Sequence, residues 1–110
     1  MIIAIDFDGT IVEHDYPRIG ELKPNAKNTI NKWYDEGHQI IIWSCRDNTE
    51  KEDAEKFLKE SGINYHAFNE NVNKDDFDPH PKVFANLYID DRGFRFTEDL
   101  HNWEYLSNII

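Results

Sequence analysis

The sequence predicts an α/β fold, a three-layer doubly wound parallel sheet, on three observations. Short apolar runs rich in β-branched residues alternate with segments of helical period. The first and last of these runs stop abruptly at aspartates, as strands do when their ends face a polar crevice. The chain has 110 residues, enough to bury one core and too few for a second module, so a single domain spanning residues 1–110 is expected.

The elements follow in order. Ile2 to Ile5 is an apolar run of strand length, and it leads into Asp6, Phe7, Asp8, Gly9 and Thr10. As a central strand it would place Asp6 at its carboxyl end, where open α/β sheets hold their ligands. Asp6 and Asp8 then lie on one side if strand geometry persists. Ile11 to Lys23 contains Pro17 and Gly20 and has no clean period, so it reads as a turn and flap. A segment leaving the carboxyl end of the first strand must pass over the crevice, which places Tyr16 and Arg18 where they could face a substrate.

Pro24 to Glu36 predicts a helix, with proline in the first turn, Ala26, Ile30 and Trp33 at helical spacing, and Gly37 as its stop. Gln39 to Trp43 is a compact apolar strand, and Ser44, Cys45 and Arg46 follow at its end. Thr49 to Glu52 fits a capping box, and Ala54, Phe57 and Leu58 give the next helix an apolar face that Gly62 closes. Ile63 to Phe68 predicts a further strand, and Asn69 to Pro81 a polar, turn-rich loop. Leu87 to Ile89 forms a strand that runs into Asp90 and Asp91. Leu100, Trp103, Leu106 and Ile110 suit a terminal helix packed on the sheet.

Composition narrows the function classes. The formal charge of −10 would repel a nucleic acid backbone, so a long nucleic acid is disfavoured as a partner. The single cysteine, Cys45, excludes an intramolecular disulfide and suits a reducing compartment. No apolar stretch approaches bilayer-spanning length and no leader pattern precedes the first strand, so a cytoplasmic protein without membrane association is expected.

Parallel strands share a carboxyl edge, and that brings Asp6, Ser44 and Asp90 together, since each follows the last apolar residues of its strand. Asp6, Asp8, Asp90 and Asp91 would crowd into one crevice, and a like-charge pair at close range costs about 4 kcal/mol at an effective dielectric of 20. Lys82 and Arg46 cannot balance four carboxylates. Hard oxygen donors without histidine or cysteine neighbours favour magnesium over zinc. A divalent ion for the aspartates, with Lys82, Arg46 and Ser44 on a bound phosphate, completes the balance.

These residues carry a resemblance. Asp6 to Thr10 (DFDGT), a strand ending in Ser44, Lys82 ahead of a strand, and that strand ending in Asp90 and Asp91 resemble the four motifs of the haloacid dehalogenase-like (HAD) superfamily of phosphohydrolases, over residues 1 to 92. The resemblance implies a Rossmann-like core and a phosphoaspartyl mechanism. Asp6 would be the nucleophile and Asp8 the general acid and base. Mg2+ would be held by the Asp6 carboxylate, the Asp8 backbone carbonyl and Asp90, with Asp91 direct or through water. Ser44 would donate to a phosphoryl oxygen, Lys82 would orient Asp6, and Thr10 would contact the phosphate or support the loop. An arginine two residues past the motif-two hydroxyl, as Arg46 is here, is similar to the pattern of some polynucleotide-end phosphatases.

Many relatives carry a cap domain, and the short flap between Thr10 and Pro24 leaves no room for one. Capless relatives have open sites for large substrates or close them with a neighbouring subunit, so a macromolecular phosphoester and a homo-oligomeric small-molecule phosphatase both stay open. A noncatalytic magnesium- and phosphate-binding module, or a signalling receiver domain, is the alternative class. Receivers place their acceptor aspartate after a later strand, whereas here Asp6 and Asp8 flank Phe7 and the late strand ends in the acidic pair. Cys45 reads as a small packing residue, and His14, His38, His66, His80 and His101 show no metal-ligand spacing.

Overall fold

Among the described residues, four short strands pair in the order β3-β2-β1-β4, all parallel. The computed structural model describes residues 1–72, 83–91 and 102–110. The elements are β1 (Ile2–Ile5), α1 (Ala26–Asp35), β2 (Gln39–Ile42), α2 (Asn48–Ser61), β3 (Ala67–Phe68), β4 (Leu87–Ile89) and α3 (Asn102–Ile109). From β1 the chain steps outward through β2 to β3, then jumps back past β1 to β4. This reversal makes the sheet doubly wound and puts its switch point between β1 and β4.

The period of two sorts the strand residues. Ile3, Ile5, Ile40 and Ile42 face a core built with Ala26, Ile30 and Trp33 of α1, Ala54 and Leu58 of α2, and Trp103 and Leu106 of α3. Ile2, Ala4 and Ile41 face the opposite side, where Val72, Val83 and Ala85 from the returning connection cover them. Both faces are thus buried, which is why these strands read as continuous apolar runs instead of alternating ones. No helix among the described residues is long and apolar enough to cross a membrane.

Several element ends differ from expectation for local reasons. The predicted strand from Ile63 is reduced to Ala67–Phe68. Ile63 instead completes the stop of α2: Gly62 takes a left-handed conformation, and the Ile63 N–H returns to the Leu58 carbonyl. His66 then borders β2 with its ring as well as its backbone, its Nδ1 accepting from the Ile40 N–H at 2.9 Å. The α2 helix begins at Asn48 with Asp47 at the N-cap position, so the Thr49 to Glu52 capping box is not what starts it. The α1 helix starts after Pro24 because Asn25, at a φ of 68°, precedes it in the left-handed region. Most of the predicted loop up to Pro81, with His80, His101 and Leu100, lies outside the described residues.

Candidate active site

Strand register brings the predicted residues to one edge. Ile5 is level with Ile42 on one side and Ile89 on the other. The Asp6 N–H donates to the Ile89 carbonyl at 2.8 Å, and the Trp43 N–H donates to the Ile5 carbonyl at 2.8 Å. Asp6 therefore stands at the centre of the carboxyl edge, flanked by the segments that carry Ser44 and Asp90. A pocket of about 450 Å³ opens here, within the size range of small-molecule sites. Asp6, Asp8, Ser44 and Asp91 line it.

The turn after Asp6 is tightly specified. The N–H groups of Thr10, Ile11 and Val12 all point to the Phe7 carbonyl. Gly9 has a φ of +84°, and a Cβ there would come within 2.7 Å of Asp91 Oδ2, so this glycine allows both the turn and the approach of Asp91. Thr10, expected either to contact the phosphate or to support the loop, is fully buried beneath the loop. Its hydroxyl faces Asp6 Oδ2 at 3.5 Å, and its carbonyl accepts the indole N–H of Trp103 at 2.9 Å. The supporting role is thus the one its position allows.

The largest departure concerns Arg46. Its guanidinium, 1% exposed, donates to both oxygens of Asp8, from Nε at 2.7 Å and from Nη2 at 2.8 Å. Nη2 also reaches the Arg18 carbonyl, and Nη1 reaches the carbonyls of Pro17 and Glu50. Guanidinium has five N–H groups, and these contacts use all of them. Arg46 has no donor left for a phosphate. It fixes the plane of the Asp8 carboxylate and fastens the flap to it, and the Asp8 hydrogen bonds hold its own charge more firmly than usual. Its aromatic neighbours are Phe7 at 5.3 Å and Tyr16 at 5.0 Å, ring centroid to guanidinium carbon.

Asp8 is thus paired with Arg46, and Asp6, Asp90 and Asp91 make up the rest of the acidic cluster. The Asp6 carboxyl is pushed up from its ordinary 3.8 to about 7, first by burial and then by the charge of Asp91. The Phe7 N–H opposes the rise, and Asp8 and Asp90 add to it. Such an accumulation of hard, negatively charged oxygens fits a divalent cation such as Mg2+. Among the described residues no three acidic, histidine or cysteine side chains converge as a ready-made ion cage. A cation here would rest on Asp6 with the acidic pair Asp90 and Asp91, helped by backbone oxygen and water. Asp91 lines the pocket, whereas Asp90 acts on Asp6 from the neighbouring strand.

Ser44 lines the pocket with its oxygen accepting the Arg46 N–H at 3.1 Å, which leaves its own hydrogen to donate. The Ser44 N–H is held by Asn69 Oδ1 at 2.7 Å. Lys82 lies outside the described residues. Of the two flap residues expected over the crevice, Tyr16 lines the pocket, while the exposed Arg18 side chain pairs with Asp15 at 3.2 Å. His14 and Cys45 also line it, neither with a spacing signal in the sequence, and Cys45 is exposed at the pocket instead of being the small packing residue expected, because it follows the last residues of its strand at the open edge. The flap's position over the crevice was the only available hint for His14.

Residues 3–75 match the family model of the haloacid dehalogenase-like hydrolases. The chain belongs to this family. The chain is also similar to a solved structure, that of a conserved protein coded by a locus from Bacteroides thetaiotaomicron, 37% identical, with a TM-score of 0.86 over 98% of this chain and 87% of that one. No curated protein matches the chain. Membership in the HAD-like hydrolases supports a hydrolase function, and the DFDGT stretch at the switch point is where its residues gather.

Proposed function

We propose that the protein is a magnesium-dependent phosphomonoester hydrolase that works through an aspartyl-phosphate on Asp6. The observation that carries this reading is the meeting of Asp6, Asp8, Ser44 and Asp91 in one pocket at the sheet's switch point. In the first step an Asp6 oxygen attacks phosphorus and the bond to the leaving oxygen breaks, with Asp8 supplying the proton that this oxygen takes. In the second step a water attacks the phosphoryl group, Asp8 accepts the water's proton, and the P–O bond to Asp6 breaks to release inorganic phosphate. The proton gained from water is the one handed to the next leaving group, so each turnover balances.

Arg46 keeps the Asp8 carboxylate aimed through both steps. Ser44 donates to a phosphoryl oxygen, and Lys82 is assigned the orientation of Asp6. Bound through Asp6, Asp90 and Asp91, Mg2+ would supply positive charge that keeps Asp6 ionised and offsets the phosphoryl oxygens.

The test is hydrolysis of p-nitrophenyl phosphate by wild type and Asp6→Asn, with Mg2+ and with EDTA. The expected result is Mg2+-dependent turnover that Asp6→Asn abolishes, together with a phosphoenzyme that hydroxylamine cleaves. Turnover that survives in Asp6→Asn would overturn the assignment of the nucleophile. No turnover by wild type on this or any other phosphomonoester, with Mg2+ binding demonstrated, would point to a noncatalytic binding module.

A further inference from the structure

Resting on the phosphohydrolase reading, the geometry points to a substrate class: phosphomonoesters whose leaving alcohol carries a planar aromatic ring, stacked on Tyr16. Four exposed large hydrophobic residues among those described, Met1, Leu22, Phe84 and Tyr105, lie away from the pocket. Tyr16 is 51% exposed and lines it. An aromatic side chain left half in water at the mouth of a charged pocket offers a face that a second ring can cover.

The ring is also held in place before any ligand arrives. The buried Arg46 guanidinium lies against it at 5.0 Å and binds the carbonyls of the next two residues, Pro17 and Arg18. The base of the flap is closed by the Glu13 N–H on the Glu21 carbonyl at 2.8 Å and the Lys23 N–H on the Ile11 carbonyl at 2.9 Å. At Gly20 a Cβ would meet the Glu13 carbonyl oxygen at 2.1 Å, so the two arms of the flap are in direct backbone contact. Binding would therefore not have to order the ring, and little of the stacking free energy would be lost.

Direction follows from the chemistry. The leaving oxygen takes its proton from Asp8, so the atoms beyond it lie on the Asp8 side of phosphorus. On that side the same guanidinium touches Asp8 at 2.7 Å and Tyr16 at 5.0 Å. The organic group, and not the phosphoryl group, is what meets Tyr16. The formal charge of −10 favours a single phosphate on a neutral ring-bearing alcohol over a long polyanion.

The experiment compares substrate pairs that share a leaving oxygen and differ in the ring: uridine 5′-monophosphate against ribose 5-phosphate, and benzyl phosphate against ethyl phosphate. Each is assayed with Mg2+ in wild type, Tyr16→Phe and Tyr16→Ala. In wild type the ring-bearing member should show a KM about tenfold lower, the scale of one base–aromatic stack. Tyr16→Ala should raise the KM of the ring-bearing member more than that of its ringless partner, until the two are equal, whereas Tyr16→Phe should keep the preference. A preference in both pairs supports aryl alcohols generally, and one confined to the nucleotide pair supports a nucleobase.

Equal KM values within each pair, or a Tyr16→Ala loss shared equally by ringless substrates, would overturn the proposal. Calorimetric titration of the same pairs into Asp6→Asn reads the ring contact without turnover. Ring-selective binding with no turnover of any substrate by wild type would overturn the hydrolase reading while sustaining the contact, and absence of both would overturn both.

Discussion

Asp6→Asn should stabilise the protein at neutral and alkaline pH when divalent cations are removed. The Asp6 carboxyl is raised from 3.8 to about 7 in the folded chain. Below pH 3.8 both folded and unfolded chains hold the proton and no penalty exists. Between 3.8 and about 7 the unfolded chain ionises while the folded chain keeps its proton, so stability falls as pH rises. Above about 7 both are ionised and the penalty is complete, roughly 4 kcal/mol from the full span of that rise.

Asp6 is part exposed, and solvent screening reduces this, leaving about 1–3 kcal/mol. Asparagine cannot ionise and keeps an oxygen for the Phe7 N–H, so it should escape the penalty. The assay is urea denaturation in EDTA from pH 4 to pH 8, followed by circular dichroism. The variant should gain about 1–3 kcal/mol at pH 8 and nothing at pH 4, and Mg2+ should narrow the gap by stabilising wild type more. A variant no more stable than wild type at pH 8, or a gap independent of pH, would refute the reasoning that burial and crowded carboxylates act on Asp6.

Two further predictions follow from the contacts. Arg46→Met leaves Asp8 without its partner and removes the donor to the flap carbonyls of Pro17 and Arg18, so it should cost about 3–5 kcal/mol in urea unfolding at pH 7. Trp103→Phe removes the indole donor to the Thr10 carbonyl while keeping most of the apolar burial. It should cost about 1–2 kcal/mol, and it should lower turnover as well, since that carbonyl belongs to the loop carrying Asp6 and Asp8.

The edge on which Asp6, Ser44 and the Asp90–Asp91 pair meet was legible in the sequence because it depends on local information. Apolar runs of strand length end where charge begins, alternation with helical segments implies parallel strands, and parallel strands share a polarity. Thus Ile2–Ile5, Gln39–Ile42 and Leu87–Ile89 lie where their patterns put them. Element ends were less legible: the strand expected from Ile63 is shortened because Gly62 and Ile63 serve the stop of α2.

What only the tertiary structure decided is which side chains meet across distant elements. Arg46 reads as a phosphate ligand from its place after Ser44, yet Asp8, 38 residues earlier, takes its charge and the flap carbonyls take its remaining donors. Thr10 reads as a phosphate contact or a support of its loop, and Trp103, 93 residues later, closes over it. Tyr16 and Arg18 sit two residues apart on the same flap, and the grip of Arg46 on that flap sets one at the pocket while the other pairs with Asp15. A one-dimensional pattern records where a residue lies along its own element. The partner that satisfies a buried charge or carbonyl is chosen by packing, and packing is a property of the folded chain.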